Sequence, residues 1–168
     1  INLLNEYFTK SIISYCKFDF DQNKKLKNLP FRNELIENTS HIKIINDSKS
    51  TNLENSINKI NQINLKKKII ILGGNPKKSN VKKNIIKNSL ILIFGPNRFR
   101  INKRIEYINS KLVTFIDLEN LFKFLKVVVD QTKWDVILFS PGGESFDQFK
   151  DYSHRGKVFN NYIKKFKI

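Results

Sequence analysis

Residues Asn46 to Asn52 read NDSKSTN and stand between two patterns of different period. Ahead of them Ile42, Ile44 and Ile45 are β-branched and favour a strand, while behind them Leu53, Ile57 and Ile60 recur at helical spacing. The stretch is therefore a strand-to-helix loop, with Thr51 or Asn52 as the natural N-cap. A loop that opens onto a helix offers unpaired backbone N–H groups and the positive end of a dipole, which favour an anion. Ser48, Lys49, Ser50 and Thr51 add hydroxyl groups and a cation. Asp47 is the odd member, since a carboxylate there suits a metal, a ribose hydroxyl or a neighbouring cation better than a phosphate. By itself such a segment is no more than a well-capped turn.

Working outward, apolar runs at 35–36, 42–45, 69–72, 90–94, 112–116 and 136–139 alternate with helical patterns at 53–63, 81–86, 98–108, 118–129 and 146–163. This alternation predicts a Rossmann-like α/β fold, a mostly parallel sheet with helices on both faces. The loops at Asn46, Gly73 and Ser140 each follow a strand directly, so they should line one edge of the sheet, where ligands of open α/β sheets collect. At the N-terminus Leu4, Phe8, Ile12 and Tyr15 share one helical face, and a polar stretch then leads to a break at Pro30. The boundary is placed there: a helical remnant of another domain over 1–32, and the α/β domain over 33–168.

The loop at Gly73 reads GGNPKKSN and lacks the spacing of a P-loop; its glycines permit close approach of a ligand, and Lys77 is a point charge on a flexible stem. The loop at Ser140, SPGGESFDQFKDYSHRG, turns into a helix that Ser145 could cap while holding a carboxylate. It lacks the second glycine of a nucleophile elbow. His41, His154 and the single Cys16 form no metal-ligand spacing, so no metal site and no catalytic residue is assigned.

The 168 residues carry a net charge of +16, which ordinarily points to nucleic acid. Yet Lys outnumbers Arg by 26 to 5, and the chain holds 22 Asn and no Ala, a bias expected of an AT-rich genome. Arg, which makes the bidentate contacts to phosphate and guanine, is the scarce cation, so nucleic acid is disfavoured as a partner. No apolar run has the length of a membrane span and no secretory signal opens the chain, so no membrane partner and a cytoplasmic location are expected. With no Met in the sequence, the chain is expected to be a fragment.

The three motifs, NDSKSTN, GGNPKKSN and SPGGESFDQFKDYSHRG, in this order and at this spacing, resemble the C-terminal part of the Mur ligase family, most closely the branch that adds D-glutamate. The resemblance implies ATP-dependent amide formation on UDP-N-acetylmuramoyl-L-alanine through an acyl phosphate, in peptidoglycan precursor synthesis, with ATP and Mg²⁺ as cofactors and a monomer in full-length form. It implies that Arg32, Asp47 and Lys49 face the nucleotide, and that Thr51, Lys77, Ser145, Phe146 and Tyr152 face D-glutamate. The Mg²⁺ ligands and phosphate-binding lysine would lie in a central domain outside these residues, so the fragment alone is expected not to turn over. Phe31 stands where the family has a His, and Pro76 and Glu144 also depart from its pattern. A basic nucleic-acid-binding module and a non-functional remnant of the ligase are the alternatives.

Overall fold

The computed structural model describes residues 7, 8, 10–12, 15, 29–36, 41–77 and 84–168. The chain divides into two compact units, Ile1–Pro30 and Phe31–Ile168. In the first unit the described residues 7, 8, 10–12 and 15 are helical, with Phe8 and Ile12 exposed. Leu4 lies outside the described residues.

The second unit runs β1 (Glu34–Ile36), β2 (Lys43–Asn46), α1 (Leu53–Gln62), β3 (Lys68–Gly73), β4 (Asn84–Lys87), β5 (Ser89–Phe94), α2 (Arg98–Asn102), β6 (Ile105–Ile108), β7 (Lys111–Phe115), α3 (Leu118–Gln131), β8 (Val136–Gly142) and α4 (Tyr152–Phe166). Six strands form one sheet in the order β1-β2-β8-β3-β5-β7, parallel throughout except for the antiparallel edge strand β1. The central strands are continuous runs of buried Ile, Leu and Phe because both of their faces are covered. On β3, Ile69 and Ile71 enter a core with Phe122 and Leu125 of α3 and Phe159 and Ile163 of α4, while Ile70 and Leu72 face Ile57 and Ile60 of α1. Phe139 of β8 stacks on Phe159 of α4 with ring centroids 4.1 Å apart, fixing that helix to the sheet. The predicted Rossmann-like class is the observed one.

Three predicted helices take other forms. The pattern at 81–86 is the strand β4 where it is described, from Asn84 onward, and the pattern at 98–108 is a short helix that ends at Asn102 and gives way to β6. β4 and β6 pair in parallel as a separate two-stranded ribbon, which closes the α1 face of the sheet with Ile86 and Ile105. Both segments are rich in β-branched and aromatic residues (Ile85, Ile86, Ile105, Tyr107), and cross-strand pairing outweighed their helical spacing. The pattern at 146–163 begins as a helix only at Tyr152, where the Asp151 side chain caps it by accepting from the His154 N–H at 2.7 Å. Ser145 instead heads a turn, its carbonyl accepting from the N–H groups of Gln148 and Phe149.

Candidate functional site

α1 and α4 leave the adjacent strands β2 and β8 toward opposite faces of the sheet, so the loops that precede them open a crevice at its C-terminal edge. The loop after β2 is held from within. Asn46 accepts from the Ser48 N–H at 3.0 Å and donates to Gly156 O at 3.0 Å and Asn160 Oδ1 at 2.6 Å. The N–H groups of Asp47, Lys49 and Ser50 donate to Phe139 O, Phe31 O and Asp47 O. With these N–H groups engaged inside the protein, the anion-binding capacity read from the loop's backbone is reduced to the start of α1, which Asn52 caps by accepting from Asn55 N–H at 3.0 Å.

The loop is also clamped to the segment after β8 by Arg155, which is fully buried. Its Nε donates to Ser48 Oγ at 3.1 Å, its Nη2 to Ser48 O at 2.7 Å and its Nη1 to Gly143 O at 2.9 Å. Burial pulls the guanidinium down from its ordinary value to about 10, with the Asp147 carboxylate acting in the other direction. The loop after β3 joins the assembly through backbone bonds between Asn75 and Glu144, N to O at 2.7 and 2.9 Å in the two directions. That approach needs glycine: a Cβ on Gly143 would lie 2.7 Å from the carbonyl carbon of Gly74, which itself has φ of 84°.

The anticipated site residues fall into three groups on this frame. Thr51 and Lys77 line one small cleft, together with Glu54, Pro76, Asn84 and Arg104. Its volume is about 60 Å³, and it opens to solvent. Lys77 Nζ is 3.9 Å from Glu144 Oε1, both side chains being well exposed, and Ser145 is buried one residue further on. Lys49 and Tyr152 form a second group, the ammonium 3.8 Å from the ring centroid. Arg32 is exposed between Phe31, whose carbonyl accepts from Lys49 N–H, and Asn33, whose N–H donates to Asp47 Oδ1 at 3.2 Å. Phe146 stands apart, 75% exposed on the turn after Ser145.

Asp47 occupies a different kind of place. It is buried, and its Oδ2 accepts from Lys59 Nζ and, at 2.9 Å, from Ser140 Oγ, which also lies 3.0 Å from Ser56 Oγ. Of the partners considered for this carboxylate, the neighbouring cation is the one present, and its oxygens tie β1, α1 and β8 together in place of reaching outward.

Three residues with evident work were missed in the sequence. Arg104 was hidden by the helical assignment of 98–108; it lines the Thr51–Lys77 cleft and donates to Lys77 O at 2.6 Å. Lys59 sits on the helix 12 residues after Asp47, a separation with no local signal. Arg155 was in plain view in the third motif, but nothing in the sequence shows that its side chain turns inward.

This Rossmann-like domain thus brings the Thr51 hydroxyl, Lys77, Arg104 and the Glu54 side chain around one small cleft. No protein-family model matches the chain. Curated relatives do. The UDP-N-acetylmuramoylalanine--D-glutamate ligase of Hydrogenobaculum sp. (strain Y04AAS1) is 36% identical over 82% of this chain and 33% of its own length. The ligase of the same name from Fusobacterium nucleatum is 31% identical over 98% of this chain and 40% of its own, and that of Buchnera aphidicola subsp. Baizongia pistaciae 34% over 96% and 38%. The chain belongs to the Mur ligase family and is similar throughout to its D-glutamate ligases. It spans about a third to two fifths of the length of these relatives. The crystal structure of MurF ligase from Thermotoga maritima in complex with ADP shares the fold, with a TM-score of 0.57 at 19% identity over 97% of this chain and 38% of that one.

Proposed function

We propose that this chain is the amino-acid-binding part of a UDP-N-acetylmuramoyl-L-alanine:D-glutamate ligase. In this reading 1–32 are the tail of a central ATP-binding domain and 33–168 the C-terminal domain of a cytoplasmic enzyme. The observation that carries it is the meeting of Thr51, Lys77 and Arg104, with Glu54, in one small cleft, with the Ser145 loop fastened beside it. D-Glutamate brings two carboxylates and an ammonium group. Lys77 and Arg104 offer the cleft two charged donors for one carboxylate, and the turn that follows Glu144, whose Oε1 is 3.9 Å from Lys77 Nζ, places Ser145 for the remainder of the amino acid.

ATP supplies the phosphoryl group that converts the substrate carboxylate to an acyl phosphate. The D-glutamate amine, having lost a proton, attacks the acyl carbon; the C–N bond forms, the C–O bond to phosphate breaks, and amide and inorganic phosphate leave. This chain's share is to hold the amino acid in line for that attack and to close over the nucleotide so that water is excluded. Arg32, which is exposed, and Lys49, half-buried over the Tyr152 ring, are the residues that would meet the nucleotide. Mg²⁺ finds no fit: among the described residues no three His, Cys, Asp or Glu side chains are grouped, and the Asp47 oxygens are engaged by Lys59, Ser140 and Asn33.

The test is a chimera in which residues 1–168 replace the aligned segment of the Buchnera aphidicola ligase. Phosphate release that depends on D-glutamate and not on L-glutamate is expected. In parallel, titration of the 168-residue chain with D-glutamate should move the amide resonances of Thr51, Lys77 and Ser145. A folded chimera with no D-glutamate-dependent release, and a chain whose resonances stay still, would overturn the reading.

A further inference from the structure

A second cleft lies at the opposite end of the sheet. Lys68, Ser89 and Lys111, the first residues of β3, β5 and β7, belong to it, so it sits under the strand starts and shares no residue with the crevice described above. Its volume is about 610 Å³, within the range of small-molecule sites. Phe124 and Val128 of α3 and Trp134, from the turn before β8, supply an apolar floor; all three are half-buried against the main core, and the Trp134 indole N–H is engaged by Val128 O at 3.3 Å. Lys66, Lys67 and Lys111 are exposed on the rim.

Lys68 is not one of these rim cations. It is buried, its ammonium donates to Ile60 O and Ile63 O at the C-terminal end of α1, and burial pulls its pKa down. Asp135 does not line the cleft; its carboxylate accepts from the Lys67 N–H at 2.9 Å. Three ammonium groups therefore surround an aromatic floor with no acid among the lining residues. An anion alone would leave the floor wet, and an uncharged ring would leave the lysines unmatched; a ligand that carries both satisfies the whole cleft.

We propose that this cleft binds a planar aromatic anion, one or two rings bearing a carboxylate, sulfonate or phosphate. The proposal does not depend on the ligase reading. Trp134 is the only tryptophan of the chain, so its emission reports on the floor directly. The probe is 8-anilinonaphthalene-1-sulfonate, compared with N-phenyl-1-naphthylamine, which has the same rings without the charge. We expect saturable one-to-one binding of the sulfonate to the 168-residue chain, energy transfer from Trp134, and amide shifts at Ser89, Leu90 and Lys111. A chain carrying Lys67→Glu and Lys111→Glu should bind the sulfonate roughly tenfold more weakly and the uncharged amine unchanged, the loss expected of two charge reversals on an exposed rim. Should that variant misfold, rising salt on the parent chain is the second measurement: it should weaken the sulfonate alone. Unsaturable binding, amide shifts away from the cleft, or sulfonate affinity indifferent to both the lysines and salt would overturn the proposal.

Discussion

Replacing Arg155 by Met keeps the length and apolar stem of the side chain and removes the guanidinium that ties Ser48 to Gly143. Lowering its pKa from the ordinary guanidinium value to about 10 corresponds to a penalty of about 3 kcal/mol for burying the charge. A base with a lowered pKa bears that penalty wherever it stays protonated in both states, so it is present in full below pH 10 and relieved above it. Against it stand three hydrogen bonds from a charged donor to Ser48 Oγ, Ser48 O and Gly143 O. At about 1.5 to 3 kcal/mol each these outweigh the penalty, and the variant also strands two buried carbonyl oxygens. The net loss is about 3 kcal/mol, or about 10 °C in Tm for a domain of this size. Urea and thermal unfolding followed by far-UV circular dichroism measure it, and the loss should be flat between about pH 6 and 9, since the group titrates above that window. An Arg155→Met chain within about 0.5 kcal/mol of the parent would refute the clamp, because a change that small is ordinary for a surface substitution.

In the chimera, Lys77→Ala and Arg104→Ala should each weaken D-glutamate by roughly tenfold to a hundredfold, the worth of one charge-assisted hydrogen bond, with ATP affinity little changed. Equal loss of both ligands in steady-state titrations would assign these residues to domain closure. A Cβ on Gly156 would lie 2.4 Å from Phe31 Cδ1, so Gly156→Ala should cost about 1 to 3 kcal/mol in urea unfolding, and Phe31→Ala in the same chain should recover part of it; additive losses would mean the two do not press on each other. The Asp151 carboxylate is held below its ordinary value chiefly by the His154 N–H. Its cap therefore stabilises α4 above about pH 4 and fails as pH falls through the lowered pKa, and Asp151→Asn should flatten that acid limb in a pH series of melts.

The fold was legible where burial and periodicity agree. Strands β3, β5 and β8 are unbroken apolar runs followed by glycine or Ser-Pro-Gly, which only a doubly covered parallel sheet explains. Legibility failed at the β4–β6 ribbon, where four-residue strands with one buried face mimic a single helical turn, and at Ser145, where a short turn of its own comes before the helix that Asp151 starts. Within the site, Thr51 and Lys77 could be paired from the order of the loops, because strand ends in a parallel sheet share an edge. Arg104 and the Asp47–Lys59 pair could not, since each depends on how an element packs after it has formed.

The three departures from the family pattern act differently once their surroundings are known. Phe31 is buried with its ring against Gly156, at φ of 60°, and its carbonyl holds Lys49 N–H, so this aromatic serves the packing of the loop and lacks any group to offer a nucleotide. Pro76 is buried in the wall of the Thr51 cleft, where a missing N–H costs little next to the rigidity it lends Lys77. Glu144 leans toward Lys77 at 3.9 Å with its backbone fixed to Asn75, so a resident carboxylate already shares the cation that the proposed ligand would use. At that distance and exposure the pair is worth at most about 1 kcal/mol, too little to keep a ligand out but enough to reduce what Lys77 contributes alone. Arg104, joined to the same loop through Lys77 O, is placed to make up the difference. Removing Glu144 should then tighten anion binding at Lys77, and should do so more in a chain that lacks Arg104 than in one that has it.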